Sequence, residues 1–225
     1  MQDLIKQEQF ELEVLDGLNS VRILEKLVFI GGTMLRLCYG LNRFSVDLDF
    51  WLYKKSGTEG LFNAISTFLN RNYVITDSQD KFNTLLFEIK SEKYPRRLKI
   101  EIRKKVCGNT EQSIAYSQHS VLQVLLKTLK LEDIMEEKTK TFLERGEIRD
   151  VFDVEFLYKK GYELTENPAL LRKLLNKINS FTANDYKVKL GSLVQGEQRK
   201  YYIDKNFSIL KDAIGQKLNI NDHLK

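Results

Sequence analysis

The chain has 225 residues, of which 42% are hydrophobic and 30% charged, so it can bury a substantial core and is not a disordered polymer. It contains no apolar run of the ~18 residues needed to cross a bilayer and no signal-peptide core, and we therefore expect a cytoplasmic protein that does not enter a membrane. Two isolated cysteines, Cys38 and Cys107, and two histidines make a zinc centre improbable, and we expect both thiols to be reduced.

The net charge of +5 is concentrated near the C-terminus. Residues 166–225 contain 11 Lys and Arg against 6 Asp and Glu, which gives +5 and leaves residues 1–165 neutral. Such a segment is suited to bind nucleic-acid phosphates. An ordinary solvated face is an alternative explanation of the same charge.

The first half of the chain predicts helices and strands in alternation. Residues 3–27 have apolar positions at helical spacing and predict one or two amphipathic helices. A short strand then ends in Gly31-Gly32-Thr33, about ten residues of helix follow, and a second strand covers about 45–53. The spacing after it predicts a helix over 61–70. Three further short strands, near 73–76, 84–89 and 97–103, are expected to join the same sheet in antiparallel order.

After about residue 115 the pattern changes to helices. The clearest cover about 131–143, 148–158 and 167–178, and weaker patterns lie near 184–190 and 206–218. The fold class is therefore predicted as α+β. We expect a mixed sheet flanked by helices over residues 1–115 and a helical domain over residues 116–225.

Two carboxylates on the second strand are the first sign of chemistry. Side chains alternate along a strand, so Asp47 and Asp49 share one face while Leu48 and Phe50 share the other. Two adjacent carboxylates repel one another unless a cation lies between them, and oxygen ligands of this kind suit Mg²⁺. The Gly-Gly-Thr turn nearby offers backbone N–H groups and a hydroxyl to phosphates. A simple tight turn is the alternative for the two glycines.

A third carboxylate can join this pair from a neighbouring strand. Along residues 97–103 the apolar positions alternate with charged ones, and Glu101 lies on the charged face. It can reach Asp47 and Asp49 if its strand lies beside theirs. Glu88, on the preceding strand, is its competitor for this role.

Three charged residues interrupt the apolar faces of the C-terminal helices. Lys138 occupies the i+7 position of an apolar stripe that begins at Leu131, where a hydrophobic side chain was expected. Burial of a lysine without a partner is costly, so Lys138 is expected to face an anion or a cleft, unless it reaches solvent along the surface. Asp150 and Asp153 lie on one face of a largely apolar helix and are either functional or structural partners of Arg145 and Arg149.

Taken together, these features match the requirements of nucleotidyl transfer. Carboxylates hold Mg²⁺ on a nucleoside triphosphate, a third carboxylate favours deprotonation of the acceptor hydroxyl, and a lysine neutralises phosphate charge. Each feature alone is weak, but their order along the chain is fairly specific.

The sequence resembles the AbiEii/AbiGii nucleotidyltransferase toxin family of the DNA polymerase β-like superfamily. Five stretches between residues 29 and 153 carry the resemblance. They are Phe29-Ile-Gly-Gly-Thr-Met-Leu-Arg-Leu-Cys-Tyr39, Arg43-Phe-Ser-Val-Asp-Leu-Asp-Phe50, Ile100-Glu-Ile102, Ile134-Met-Glu-Glu-Lys138 and Arg145-Gly-Glu-Ile-Arg-Asp-Val-Phe-Asp153. Thr33 replaces the serine common in the superfamily, and Glu101 stands where aspartate is commoner.

The resemblance implies roles for individual residues. It assigns phosphate binding to the turn, and the expected set there is Gly31, Gly32 and Thr33. It assigns the metal to Asp47 and Asp49, with Glu101 as the third ligand. Lys138 is expected to contact the nucleotide, and Asp150 to orient Lys138 or the acceptor. We expect Asp47, Asp49, Glu101, Lys138 and Asp150 to converge on one pocket between the two parts of the chain.

The expected activity is Mg²⁺-dependent transfer of an NMP from an NTP to an acceptor, and the expected acceptor is RNA such as tRNA. The resemblance implies the toxin of a bacterial type IV toxin–antitoxin or abortive-infection system, with a cognate antitoxin as a possible partner. Transfer to a small molecule such as an antibiotic is one alternative on the same fold. A non-catalytic module that binds RNA or protein is another.

Overall fold

The computed structural model describes residues 2–54, 59–194 and 196–223, with side chains described as far as residue 219. The chain divides into two compact units, residues 1–130 (the N-terminal unit) and 131–225 (the C-terminal unit). The predicted boundary between residues 115 and 116 does not coincide with this division. Residues beyond 115 still belong to the sheet of the N-terminal unit, and the helices of the C-terminal unit begin at Leu131.

The N-terminal unit alternates helices and strands, with a short 3₁₀ helix before the first strand. Its elements are α1 (Gln2–Ser20), the 3₁₀ helix (Ile23–Lys26), β1 (Leu27–Ile30), α2 (Gly31–Tyr39), β2 (Asp47–Tyr53), α3 (Leu61–Asn72), β3 (Val74–Asp80), β4 (Thr84–Lys90), β5 (Leu98–Cys107), β6 (Thr110–Tyr116) and β7 (Gln123–Leu129). The predicted helices and the first five strands are confirmed. The strands β6 and β7 were not predicted.

The described strands form one mixed sheet in the order β3-β4-β5-β2-β1-β7-β6. β1 and β2 pair antiparallel, and so do the neighbours within β3-β4-β5. The junction of these two groups is different, because β5 runs parallel to β2 with Asp49 opposite Glu101. The predicted mixed sheet is therefore confirmed, and the antiparallel order expected for the three later strands holds among them, while their junction with β2 is parallel.

Alternation along the central strands separates an apolar face from a charged one. Leu48 and Phe50 on β2 are buried, as are the corresponding residues of β5 and β4. Aromatic contacts with helices cover this face, for example the stacked rings of Phe62 on α3 and Phe87 on β4, with centroids 4.9 Å apart. The opposite face of β2 and β5 carries Asp47, Asp49 and Glu101, and we call it the carboxylate face.

In the described residues of the C-terminal unit, all the regular secondary structure is helical. Its elements are α4 (Leu131–Arg145), α5 (Ile148–Lys159), α6 (Pro168–Asn179), a π-helical turn (Asp185–Leu190), α7 (Gly196–Lys205) and α8 (Ser208–His223). The start of α6 follows the sequence signal, since the side chain of Asn167 accepts hydrogen bonds from the N–H groups of Ala169 and Leu170. The predicted α+β class is confirmed. Helix α7 was not predicted.

Among the described residues, no helix is both long enough and apolar enough to span a membrane.

The burial of Phe50 on the apolar face of β2 predicts that its removal costs far more stability than removal of an exposed phenylalanine. Phe50 is fully buried at 1% exposure, whereas Phe82 is 93% exposed. We expect Phe50→Ala to lower the free energy of unfolding by about 3–5 kcal/mol, because it removes apolar contacts and leaves a cavity. The matched change Phe82→Ala is expected to stay within about 0.5 kcal/mol of the wild type. Urea unfolding followed by circular dichroism measures both, and equal losses would contradict the assigned core.

Candidate active site

Asp47 and Asp49 begin strand β2 and lie on the carboxylate face. Both side chains are partly exposed, while Leu48 between them is fully buried. Asp49 lies opposite Ile30, the last residue of β1, and opposite Glu101 on β5. The carboxylate of Asp49 is therefore adjacent to the start of α2 on one side and to a third carboxylate on the other.

The two glycines that open α2 have separate reasons to lack a side chain. Gly31 has a φ of +86°, and a Cβ built on it would lie 2.6 Å from Oδ2 of Asp49. A Cβ on Gly32 would lie 2.7 Å from a guanidinium nitrogen of Arg43 and 2.8 Å from Oγ of Ser45. The glycine pair is thus more than a tight turn, because it brings backbone close to a carboxylate and to a buried arginine.

The first turn of α2 adds backbone donors at this position. Its N-cap residue, Ile30, provides no side-chain hydrogen bond. The first N–H groups of a helix have no partner within the helix, and a helix N-terminus carries partial positive charge. In the described residues, this end of α2 therefore combines backbone donors with a neighbouring carboxylate, an arrangement that suits a metal-bound phosphate.

Thr33 has a different partner from the predicted one. Its side chain is fully buried, and its hydroxyl donates to the backbone carbonyl of Asp47 at 2.6 Å. The hydroxyl therefore ties α2 to the start of β2. In this structure the buried hydroxyl has a positioning role, because its donor is engaged with a carbonyl, and phosphate binding by Thr33 stays a prediction. The backbone N–H of Thr33 remains a predicted phosphate ligand.

Glu101 lies beside Asp49 as predicted, but basic neighbours engage its carboxylate. Lys99 donates a hydrogen bond to Glu101 at 2.8 Å, and Arg103 donates another to Glu101 at 3.4 Å. Partial burial raises the pKa of Glu101, but the hydrogen bond and charge of Lys99, together with Arg103, outweigh it and leave the pKa below its usual range. Among the described residues, no group of three or more His, Cys, Asp or Glu side chains is arranged to hold a metal ion. The third-ligand role of Glu101 stays a prediction.

Glu88, the competitor of Glu101, is occupied elsewhere. It accepts hydrogen bonds from the hydroxyl of Thr76 at 2.6 Å and from Arg97 at 2.7 Å. Its strand, β4, is separated from β2 by β5. This favours Glu101 as the third carboxylate next to the Asp47–Asp49 pair.

In the C-terminal unit, Lys138 pairs with Asp153 and not with Asp150. The ammonium lies 2.6 Å from Oδ2 of Asp153, which is fully buried, and the lysine side chain is only 13% exposed. Lys138 thus faces an anion, as its position on an apolar stripe predicts. The direct ion-pair partner of Lys138 is thus one helical turn further along α5 than Asp150, and a role of Asp150 in orienting Lys138 or the acceptor stays a prediction.

Asp150 is buried on the same helix. Its Oδ2 has no hydrogen-bond partner among the described residues. Burial raises the pKa of Asp150, the nearby charge of Lys138 lowers it, and the carboxylate of Asp153 raises it further, with a net upward shift. Its predicted catalytic role and the convergence of the five residues on one pocket stay predictions.

A buried acid on α1 escaped the sequence analysis. Glu11 is 0% exposed, and neither of its carboxyl oxygens has a hydrogen-bond partner in the described part of the chain. Burial raises its pKa well above the usual value, repulsion from Glu8 and Asp47 adds to this, and Arg36 acts in the opposite direction. The signal in the sequence is its spacing, since Glu11 lies three residues before Val14 and seven before Leu18 on the buried side of α1.

A glycine turn opening a helix, two carboxylates on the next strand and a third carboxylate across a parallel neighbour define the nucleotidyltransferase class of fold. The comparisons with known proteins agree. The family model for the nucleotidyl transferase AbiEii toxin, Type IV TA system, matches residues 13–216. The chain therefore belongs to the AbiEii nucleotidyltransferase toxin family and is an enzyme of the nucleotidyltransferase class.

Two solved structures from Helicobacter pylori share the fold. One is a crystal structure of a candidate nucleotidyltransferase, with 20% identity and a TM-score of 0.56 over 95% of this chain and 98% of that chain. The other is the JHP933 protein, with 21% identity and a TM-score of 0.53 over 92% of this chain and 95% of that chain. No curated protein matches the sequence.

The buried Thr33 hydroxyl predicts a specific loss of stability. Thr33→Val keeps the shape of the side chain but leaves the buried carbonyl of Asp47 without this donor, and we expect it to cost about 1–3 kcal/mol. Thr33→Ser keeps the hydroxyl and is expected to cost less. Urea unfolding at pH 7 measures both. A valine variant as stable as the wild type would show that this hydrogen bond does not contribute to stability.

The raised pKa of Glu11 predicts a pH-dependent effect of Glu11→Gln. Above the unfolded pKa of about 4.3, the unfolded chain releases the proton while the folded protein retains it, so folding loses stability as pH rises. Glutamine cannot release this proton. We expect the variant to be more stable than the wild type at pH 7 and the difference to shrink towards pH 4.

Thermal unfolding at several pH values measures this difference. Glu92→Gln, at an exposed position, serves as the matched control and should show no such trend. A Glu11→Gln variant that is equally destabilised at pH 4 and pH 7 would contradict a neutral, buried Glu11.

Proposed function

We propose that this protein transfers an NMP from an NTP to an RNA acceptor such as tRNA, in a Mg²⁺-dependent reaction. The single observation that carries the proposal is the contact between the glycine turn and β2. Backbone that tolerates no side chain lies against the carboxylate of Asp49, at a helix start that has no side-chain cap. This arrangement suits a triphosphate held between backbone donors and a carboxylate-bound cation.

The donor set fits a hard divalent cation. Asp47 and Asp49 supply oxygen ligands from one face of one strand, and both are partly exposed. Mg²⁺ typically takes one or two protein carboxylates and completes its shell with water and substrate phosphates. Asp47 and Asp49 would hold the ion. When bound, it would neutralise phosphate charge and lower the pKa of the acceptor hydroxyl.

The residues of the turn would bind and orient the triphosphate. The N–H groups at the start of α2 would donate to its phosphate oxygens. The acceptor hydroxyl oxygen would then form a new bond to the α-phosphorus, and the bond from that phosphorus to the oxygen bridging to the β-phosphate would break, releasing pyrophosphate. The hydroxyl proton would pass to solvent water, since the low pKa of Glu101 makes that carboxylate a weak base.

Lys138 is proposed to contact the nucleotide phosphates. An ammonium has three donors, and Asp153 at 2.6 Å uses one of them. The buried carboxylate would fix the lysine in place and leave donors for an anion. Asp150, with one carboxyl oxygen lacking a hydrogen-bond partner in the described residues, is proposed to orient the lysine indirectly through charge, or to contact the acceptor.

The biological setting is proposed from the family. Members are toxins of type IV toxin–antitoxin systems, so we propose that this chain acts as a toxin in the cytoplasm and is countered by a cognate antitoxin protein. The basic balance of residues 166–225 supports a polyanionic acceptor over a small molecule.

Label transfer tests the proposal directly. Purified protein is incubated with each α-labelled NTP, Mg²⁺ and total tRNA, beside the variants Asp47→Asn and Asp49→Asn. We expect label in RNA with the wild type, a loss of about 100-fold or more in each variant, and no transfer after chelation of the metal. Asp16→Asn, an exposed position on α1, is the matched control and should keep full activity.

The possible outcomes separate the alternatives. Label in a small molecule but not in RNA would support the small-molecule alternative. Label in neither RNA nor protein, together with no toxicity on expression, would overturn the proposed function. Full activity in Asp47→Asn would show that the carboxylate pair does not hold the metal.

A further inference from the structure

The carboxylate face continues beyond the carboxylates into an aromatic region. Alternation along β2 places Trp51 and Tyr53 on the same face as Asp47 and Asp49. Strand residues rise about 3.3 Å each, so Tyr53 lies roughly 13 Å along the strand from Asp49. An acceptor that reached both positions would have to be longer than a typical small molecule.

Three lysines lie against these two rings. The ammonium of Lys105, on β5, is 3.7 Å from the centroid of the Trp51 ring. Those of Lys54, just after β2, and Lys127, on β7, are 5.0 and 4.7 Å from the centroid of Tyr53. Lysines from three separate parts of the chain thus meet at two aromatic side chains.

This concentration of positive charge has an electrostatic cost. Lys54 and Lys127 lie within about 5 Å of the same ring centroid and repel one another, while each gains only a modest cation–π attraction. Lys127 also donates to the carbonyl of Glu25 at 3.2 Å, which fixes its position. A polyanion would relieve the repulsion, since its phosphates would lie between the ammonium groups.

The tryptophan adds an unsatisfied donor to the same region. Trp51 is 6% exposed, and its indole N–H has no hydrogen-bond partner among the described residues. Lys105, which contacts the ring, is itself exposed and has a flexible stem. Displacement of this lysine by a ligand would uncover an aromatic surface and its donor.

Rings interleaved with basic groups are the usual means of binding single-stranded nucleic acid. Bases stack on the aromatic side chains, while lysines and arginines follow the phosphates. We propose that the region formed by Trp51, Tyr53, Lys54, Lys105 and Lys127, which we call the aromatic–lysine strip, binds the single-stranded end of the RNA acceptor. The proposal rests on the proposed function and adds the surface that selects RNA.

Binding of a fluorescently labelled single-stranded RNA dodecamer, without NTP, tests this surface separately from transfer. We expect Tyr53→Leu, which keeps apolar bulk but removes the ring, to weaken binding and raise the Kd about fivefold or more. Lys105→Gln should also weaken binding. In addition it should reduce the slope of log K against log salt by about 0.7, as expected for one lost phosphate contact on a single strand.

Matched controls lie outside the strip. Tyr116→Ala removes an exposed tyrosine on β6, and Lys6→Gln removes an exposed lysine on α1. Both should bind as the wild type does. The salt slope distinguishes a phosphate contact from a general loss of structure, because partial unfolding would lower the bound fraction without removing one counterion-releasing contact.

The outcomes keep this proposal distinct from the proposed function. If RNA is labelled by the wild type but Tyr53→Leu and Lys105→Gln bind RNA normally, the aromatic–lysine strip is wrong and the transferase assignment stands. If the wild type does not bind the RNA at all, the strip is overturned regardless of the transfer result. Weaker binding in both variants, with the slope change confined to Lys105→Gln, supports the strip.

Discussion

The site depends on the close packing of the β1–α2 turn against β2. Gly31 approaches the carboxylate of Asp49 so closely that a methyl group would overlap it, and the hydroxyl of Thr33 is bonded to the carbonyl of Asp47. The contact with Gly31 positions the carboxylate of Asp49, and the hydrogen bond from Thr33 positions the backbone of Asp47. Because both come from the first three residues of α2, they fix the start of this helix, where we propose phosphate binding, against the start of β2, where we propose metal binding.

The charges around this contact are balanced locally. Lys99 and Arg103 lie on either side of Glu101 on β5, and both donate to it. Because Lys99 and Arg103 lie on the same strand as Glu101, they neutralise its charge without any contact between residues distant in the sequence. They also keep Glu101 ionised and weakly basic. A cation that took Glu101 as a ligand would have to displace the ammonium of Lys99, which explains why the carboxylate pair of β2 is the stronger part of the proposed metal site.

Features that depend on local periodicity were predictable from the sequence. Alternation placed Asp47, Asp49 and Glu101 on one face, and the interrupted apolar stripe marked Lys138. Features that depend on which of two nearby residues makes a contact were not predictable from the sequence. Asp150 and Asp153 lie three residues apart on one side of α5, so spacing alone could not tell which of them meets Lys138. Strand β7 was missed for a similar reason, because its run of leucine and valine with a single lysine is short and suits a buried helix as well as a strand.

Strand β2 carries carboxylates at its start and aromatic rings with lysines at its end, and this order affects how RNA would bind. Carboxylates at the start of β2 repel a bare polyanion, whereas the rings and lysines at its end attract one. An RNA that bound by charge alone would therefore settle at the far end of the strand, with its phosphates away from Asp47 and Asp49. Only its terminus would approach the carboxylates, and it would do so at lower cost once a cation had neutralised them. In the proposed reaction, Asp47 and Asp49 would hold the cation and the triphosphate before the RNA end arrives, and the same strand would separate the binding of the polymer from the chemistry at its terminus.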